Sequence, residues 1–360
     1  MVHARAVLER LVVLPGRGRT VVFDHPGRPG APAVVLVHGV TLTAELNWSA
    51  VMPGLAGPFR VLAFDQRGHG DGLGWTGGYR LEDCADDVAA VAAALGIDRL
   101  IVVGYSMGGL IAQLVWQRHR QLVAGLVLCA TARNIAGSHV VPSAALRPPP
   151  VTTPGPGLPG WAMPGLGTAA LGTTGLGTAG LGVLGLAAAA PGWLAAMAAL
   201  RADLLGRYLL DAGGDPTRRA WALAQMRRTP LASALAAVSA VYQFSSHTWA
   251  GDIDVPTAVI IPRRDRVIPP IRQHTLAAAI PAAVTHELDG DHGLFLTAPD
   301  RLLTALRATC HLVNAHAHTH TAAGTPAREA TASSPAPAEP RSLRASASPS
   351  TAVHRRAAAR

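Results

Sequence analysis

Residues Ala33-Val34-Val35-Leu36-Val37 form an unbroken apolar run, mostly β-branched, with no polar residue interrupting it. A strand with one wet face alternates polar and apolar residues, whereas a continuous run suits a strand buried on both faces. Strands of that kind occur where helices cover both sides of a mainly parallel sheet, so this segment narrows the fold to the α/β class. Phe59 to Phe64, Leu100 to Val103 and Val123 to Cys129 share its character. Arg19 to Asp24 reads as an earlier strand, and Thr257 to Ile261 and Val284 to Leu288 as later ones. Helical patterns lie between them. Leu81, Cys84, Val88, Val91 and Leu95 recur at helical spacing, and Glu82, Asp83, Asp86 and Asp87 crowd the start, where the helix dipole favours negative charge. Further helices are expected from Met107 to about Arg118 and from Asp300 to Leu312.

Residues 133–250 separate two core strands and read as an insertion within a domain spanning residues 1–314. Its second half, about Leu194 to Phe244, has a helical pattern broken by Gly213-Gly214-Asp215-Pro216. In the first half Leu166, Leu171, Leu176, Leu181 and Leu186 recur every five residues amid frequent glycine. That period matches neither helix nor strand, and glycine makes ordering costly, so residues 141–190 are expected to be a flexible low-complexity repeat. Pro148 to Leu200 carries no charge, but dense glycine and Pro191 argue against a membrane span there. Residues 315–360 are rich in Ala, Ser, Thr, Pro and Arg and read as a disordered tail.

The chain has no lysine; all 31 basic residues are arginine. This excludes a Walker A phosphate loop, a pyridoxal Schiff base and a Tyr/Lys catalytic pair. The net charge is +9, of which six Arg against two Glu in residues 315–360 supply +4. The remainder is spread without a basic block or a recognition motif, so nucleic acid is not an expected partner. Cys84, Cys129 and Cys310 are far apart with no metal-ligand spacing, and read as reduced core residues. No apolar run closed by a cleavage site stands at the N-terminus, and a cytoplasmic location is expected.

The chemistry concentrates in Gly104-Tyr105-Ser106-Met107-Gly108-Gly109, which follows a buried strand and opens a helix. A serine on so sharp a turn projects its oxygen from the sheet edge, and flanking glycines remove the Cβ atoms that would obstruct the turn. The same turn aims the Met107 N–H at a developing oxyanion. Ser106 needs a base. Of 15 histidines, His292 in Asp289-Gly290-Asp291-His292-Gly293 lies in the loop between the last strand and the last helix. It follows the serine and an acid in the order Ser, Asp, His. His286 falls in a strand, His247 and His274 fall in helix-like segments, and His311, His316, His318 and His320 border the tail. Asp265, four residues past Ile261, is the candidate to orient His292; Asp252 and Asp254 precede their strand, and Asp289 and Asp291 share the histidine's own loop. The alternative for Asp265 is a surface ion pair with a neighbouring arginine. A second oxyanion donor is expected from the loop after Val37, with the Val40 N–H as candidate and His38 structural.

Taken together, His38-Gly39, Asp65-Gln66-Arg67-Gly68-His69-Gly70, Gly104 to Gly109, Asp265 with Pro269-Pro270, and Gly290-Asp291-His292 resemble the α/β-hydrolase superfamily, in particular its esterase-like serine hydrolases. The resemblance covers residues 20–132 and 250–313, and implies an α/β-hydrolase fold: a mainly parallel sheet flanked by helices, with a helical cap inserted after the strand ending near Cys129. It implies that Asp65 to Gly70 is a structural turn, so that His69 is not catalytic. One departure is Asp71-Gly72, where such hydrolases often carry serine after the Arg-Gly-His-Gly turn. It further implies a Ser106–His292–Asp265 triad with oxyanion donors Val40 and Met107, no cofactor and no metal. The expected reaction is hydrolysis of a carboxylic ester, lactone or thioester, and the apolar insertion suggests a small or medium hydrophobic acyl substrate. Relatives that open epoxides or remove halide carry aspartate at the elbow, which Ser106 disfavours. An acyltransferase or lyase using the same residues, or a ligand-binding protein without catalysis, are the competing classes.

Overall fold

The computed structural model describes residues 7–135 and 216–323. Eight strands form one sheet: β1 (Leu8–Leu14), β2 (Gly18–His25), β3 (Ala33–Val37), β4 (Arg60–Phe64), β5 (Leu100–Tyr105), β6 (Val123–Cys129), β7 (Thr257–Pro262) and β8 (Val284–Leu288). Their order is β1-β2-β4-β3-β5-β6-β7-β8. From β4 to β8 every neighbouring pair is parallel, while β2 is antiparallel to both β1 and β4. The β1–β2 hairpin turns at Pro15-Gly16-Arg17, where Gly16 has φ 72°, and adds the strand β1 that the sequence did not suggest.

The helices are α1 (Ala44–Trp48), α2 (Met52–Leu55), α3 (Leu81–Ala94), α4 (Met107–Arg118), α5 (Pro216–Arg227), α6 (Leu231–Gln243), α7 (Pro270–Ala279), α8 (Leu294–Thr297) and α9 (Pro299–Ala323). They cover both faces, as the continuous apolar strands require. On β3, Val35 and Val37 join a core built with α3, α4, α6 and α7, while Val34 and Leu36 join one built with α1, α2, α5 and α9. All five β3 residues are buried, the consequence of side chains pointing alternately into two covered faces.

The closing helix passes residue 314, the expected end of the folded domain, and continues to Ala323. Cys310, Val313 and Ala317 keep facing the core at helical spacing, so the docked chain extends further than composition indicated. The repeat at 141–190 and residues 324–360 lie outside the described residues. Of the expected cap helices, α5 and α6 are described, after the Gly213 to Pro216 break. No helix among the described residues is long and apolar enough to cross a membrane.

Candidate active site

The parallel strands β3, β5, β7 and β8 present their C-terminal ends on the same side of the sheet, and the connecting loops there gather the reactive side chains. Ser106 stands between β5 and α4 with φ 54° and ψ −117°, a left-handed backbone that an L-residue adopts only when its surroundings impose it. The imposition is visible. A Cβ on Gly104 would collide with the Gly108 carbonyl, and one on Gly108 with the Val37 carbonyl. The Ser106 N–H donates to the Cys129 carbonyl at 2.9 Å, tying the turn to the neighbouring strand.

The His292 Nε2 lies 3.0 Å from Ser106 Oγ, and its Nδ1 lies 2.7 Å from Asp265 Oδ2. Ser106, His292 and Asp265 are all buried. With Nδ1 donating to the carboxylate, Nε2 is left as the acceptor facing the serine hydroxyl. The Asp265 Oδ1 accepts the N–H groups of Val267 at 2.9 Å and Ile268 at 2.8 Å, so its own loop fixes the carboxylate. Tyr105, fully buried, donates its hydroxyl to the His292 carbonyl at 2.6 Å and anchors the histidine loop to the end of β5. Among the described residues Asp265 forms no ion pair with an arginine; its partner is His292. Instead Arg264 pairs with Asp289 at 3.2 Å, Asp291 accepts the Gly293 N–H at 2.8 Å, and Asp254 accepts the Trp116 indole N–H at 2.9 Å. Three of the competing acids, Asp254, Asp289 and Asp291, are therefore engaged away from His292.

The loop after β3 packs against the serine turn. The Gly39 N–H is committed to Asn47 Oδ1 at 3.0 Å. The N–H groups of Val40 and Met107 donate to nothing among the described residues. His38 braces this loop. Its Nε2 accepts the Gln66 N–H at 2.8 Å, so Nδ1 carries the proton and donates to the Gly39 carbonyl, also at 2.8 Å. Burial pushes the His38 pKa down to about 4, against the smaller opposing effect of the Gly39 carbonyl. His69, edge-on to His38 at 5.2 Å, is pushed down to about 3 by burial and then by His38. Both imidazoles are therefore neutral structural pieces, and neither is hydrogen-bonded to Ser106. Asp65 closes the same turn by accepting the N–H groups of Ala44 at 2.7 Å and Asp71 at 2.8 Å.

A cavity of about 40 Å³ opens at Ser106 and His292. Its walls are apolar: Leu42, Val267 and Ile268 from the core domain, Val238, Val241 and Tyr242 from α6. No charged residue lines it among those described. The cap is held down by polar contacts that the sequence did not reveal. Gln225 of α5 accepts the Thr43 hydroxyl at 2.9 Å and donates to Glu45 at 2.7 Å, while Arg228 pairs with Asp71. Asp71, the residue departing from the family pattern, is thus an ion-pair partner of the cap, beside Glu45, which Arg228 approaches at 3.6 Å.

The three cysteines are free and buried. Burial raises the Cys84 and Cys310 thiols to about 12 and moves Cys129 well upward, with Asp265 adding to that rise. None is a thiolate nucleophile.

A family model described as alpha/beta hydrolase fold matches residues 32–299. The chain belongs to the α/β-hydrolase fold family. Among curated relatives of this chain, a pimeloyl-[acyl-carrier protein] methyl ester esterase from Sodalis glossinidius is 40% identical over 98 residues, covering 27% of this chain and 36% of that protein. A bifunctional esterase/perhydrolase from Acinetobacter calcoaceticus is 38% identical over 93 residues, or 26% and 33% of the two chains. Epoxide hydrolase B of Mycobacterium tuberculosis is 33% identical over 120 residues, or 32% and 33%. The chain spans about a third of the length of these curated relatives. Among solved structures, the enol-lactonase from Burkholderia xenovorans superposes with a TM-score of 0.61 at 23% identity, over 84% of this chain and all of that one. A thermophilic esterase from Thermogutta terrifontis gives 0.59 at 21% identity, over 85% and 99%. Identities that low carry the fold alone.

Proposed function

We propose that this α/β hydrolase is a serine hydrolase that cleaves a carboxylic ester, lactone or thioester through an acyl-enzyme. The observation carrying the reading is the unbroken chain from Ser106 Oγ through His292 to Asp265, at 3.0 and 2.7 Å, opening into an apolar cavity. Ser106 Oγ attacks the carbonyl carbon while His292 Nε2 takes its proton, and Asp265 stabilises the imidazolium that forms. The unengaged N–H groups of Val40 and Met107 receive the oxyanion of the tetrahedral intermediate. His292 returns the proton to the departing alkoxide or thiolate, leaving Ser106 acylated. Water then attacks the acyl carbonyl, giving its proton to His292 and then to Ser106, and the acid leaves.

The curated relatives named as esterases agree with this reaction class, and the epoxide hydrolase among them does not overturn it, because Ser106 stands where epoxide-opening members carry aspartate. The apolar walls among the described residues suit a hydrophobic acyl group. The test is hydrolysis of p-nitrophenyl esters of increasing acyl length by the wild type and by Ser106→Ala. The variant is expected to lose on the order of 10⁵-fold in turnover, because nucleophile and base act as a unit. Near wild-type turnover in Ser106→Ala would overturn the proposal.

A further inference from the structure

Asp265 presents two oxygens to four hydrogen-bond donors, and one of the four lies outside both the Asp265 loop and the histidine. The side-chain amide of Gln273, in the first turn of α7, donates to Asp265 Oδ2 at 3.0 Å, the same oxygen that accepts the His292 Nδ1–H at 2.7 Å. The same Gln273 nitrogen donates its second proton to the Ile268 carbonyl at 2.7 Å. The amide can sit no other way. Turning it over would set its oxygen against two acceptors, a carboxylate and a carbonyl. In the orientation it takes, Gln273 Oε1 is buried without a partner among the described residues.

That orphaned oxygen bears on function. Gln273 is fully buried, and an apolar side chain of similar length would fill the space without an orphaned oxygen of its own. What an apolar side chain would lack is the pair of donated hydrogen bonds, one to the Ile268 carbonyl and one to Asp265, and the second of these reaches the histidine. The Oδ1 oxygen is already held by two backbone N–H groups of its own loop, so the loop alone fixes only one half of the carboxylate. Gln273 fixes the other half and draws off part of the negative charge on the oxygen facing His292.

We infer that Gln273 is a positioning residue: it locks Asp265 Oδ2 onto His292 and moderates the charge His292 meets there. The inference rests on the proposed roles of Ser106, His292 and Asp265. The carboxylate faces His292, Gln273 and the Cys129 thiol, which burial keeps neutral, and Gln273 is the uncharged side chain that donates to Oδ2 beside the histidine. Removing the donor leaves more charge on Oδ2, stabilises the imidazolium over the imidazole, and raises the pH below which Ser106 lacks its base.

The experiment compares the wild type with Gln273→Met, following the rate of fluorophosphonate labelling from pH 4.5 to 9, with thermal unfolding of each to establish folding. The acid limb of the variant's profile is expected to move up by about half to one pH unit, about a three- to tenfold slower labelling at a fixed pH on that limb. Gln273→Glu supplies a donor only while the introduced carboxyl is protonated, so its labelling is expected to fall as that group ionises, a loss that Gln273→Met does not show. If wild-type Ser106 labels but the acid limb of folded Gln273→Met stays in place or moves down, the positioning role is overturned. If Gln273→Met is too unstable to assay, a Gln273→Glu profile parallel to the wild type overturns it as well. Failure of the wild type to label at all would instead overturn the proposed nucleophile.

Discussion

The two neutral imidazoles behind the Ser106 loop make the protein acid-sensitive in a defined window. His38 and His69 are pushed by burial from the ordinary 6.5 to about 4 and about 3. Both folded-state values lie below the unfolded one, so between them the unfolded chain binds more protons and stability falls as pH falls. The contribution is fully present above about pH 6.5 and is lost on the way down to about 4 for His38 and about 3 for His69. At pH 4.5 each ring has forfeited about 2.5 kcal/mol, at about 1.36 kcal/mol for every pH unit descended below the unfolded value. Together that is about 5 kcal/mol, a large share of the roughly 5–15 kcal/mol that holds a domain folded. Asp65, whose carboxyl burial pushes upward, works the other way and softens the loss. Asp86, held at about 2 largely by Arg118 and His119 against its own burial, enters only at lower pH. The assay is urea unfolding followed by tryptophan fluorescence at pH 7 and 4.5, for the wild type and His69→Gln. The glutamine variant starts less stable but should lose only about half as much on acidification. Equal losses in both proteins, or a wild-type loss below about 1 kcal/mol, would refute the reasoning.

Asp265→Asn should lower turnover on the order of 10⁴-fold, because the amide no longer holds His292 with Nε2 free to accept, while Asp289→Asn should change it less than about twofold. A larger loss at Asp289 in an ester hydrolysis assay would transfer the orienting role there. Gly108→Ala should cost at least about 3 kcal/mol by thermal or urea unfolding, since its methyl group meets the backbone carbonyls of Val37 and His38 rather than a yielding side chain. An unchanged midpoint would show that the serine turn is looser than its contacts indicate.

Much of this arrangement is legible in the amino-acid sequence. The β3 run is apolar throughout because both of its faces are covered, and that pattern leads directly to a parallel sheet with helices on either side. Ser106, Asp265 and His292 are legible because each sits where a strand or helix boundary can be read from hydrophobic pattern. The features that are not legible depend on tertiary contact. The strand β1 is an edge element with Leu8, Leu11 and Val13 exposed, so burial does not impose a clean alternation on its sequence. The extension of α9 to Ala323 is written in small residues such as Ala317, whose burial depends on a neighbour rather than on its own hydrophobicity. Gln273 and the Arg228–Asp71 pair carry no local signal, since a glutamine in a helix and a charge after a turn are common everywhere. Asp71 does stand out against the family pattern, but its partner lies more than 150 residues away in sequence.

The most direct test of the Ser106 chemistry is to react the folded protein with a fluorophosphonate and locate the adduct by peptide mass spectrometry. A single adduct on Ser106, formed rapidly in the wild type and slowed by orders of magnitude in His292→Ala, is the predicted result. Modification at another residue, or labelling of Ser106 at the same rate without His292, would contradict it.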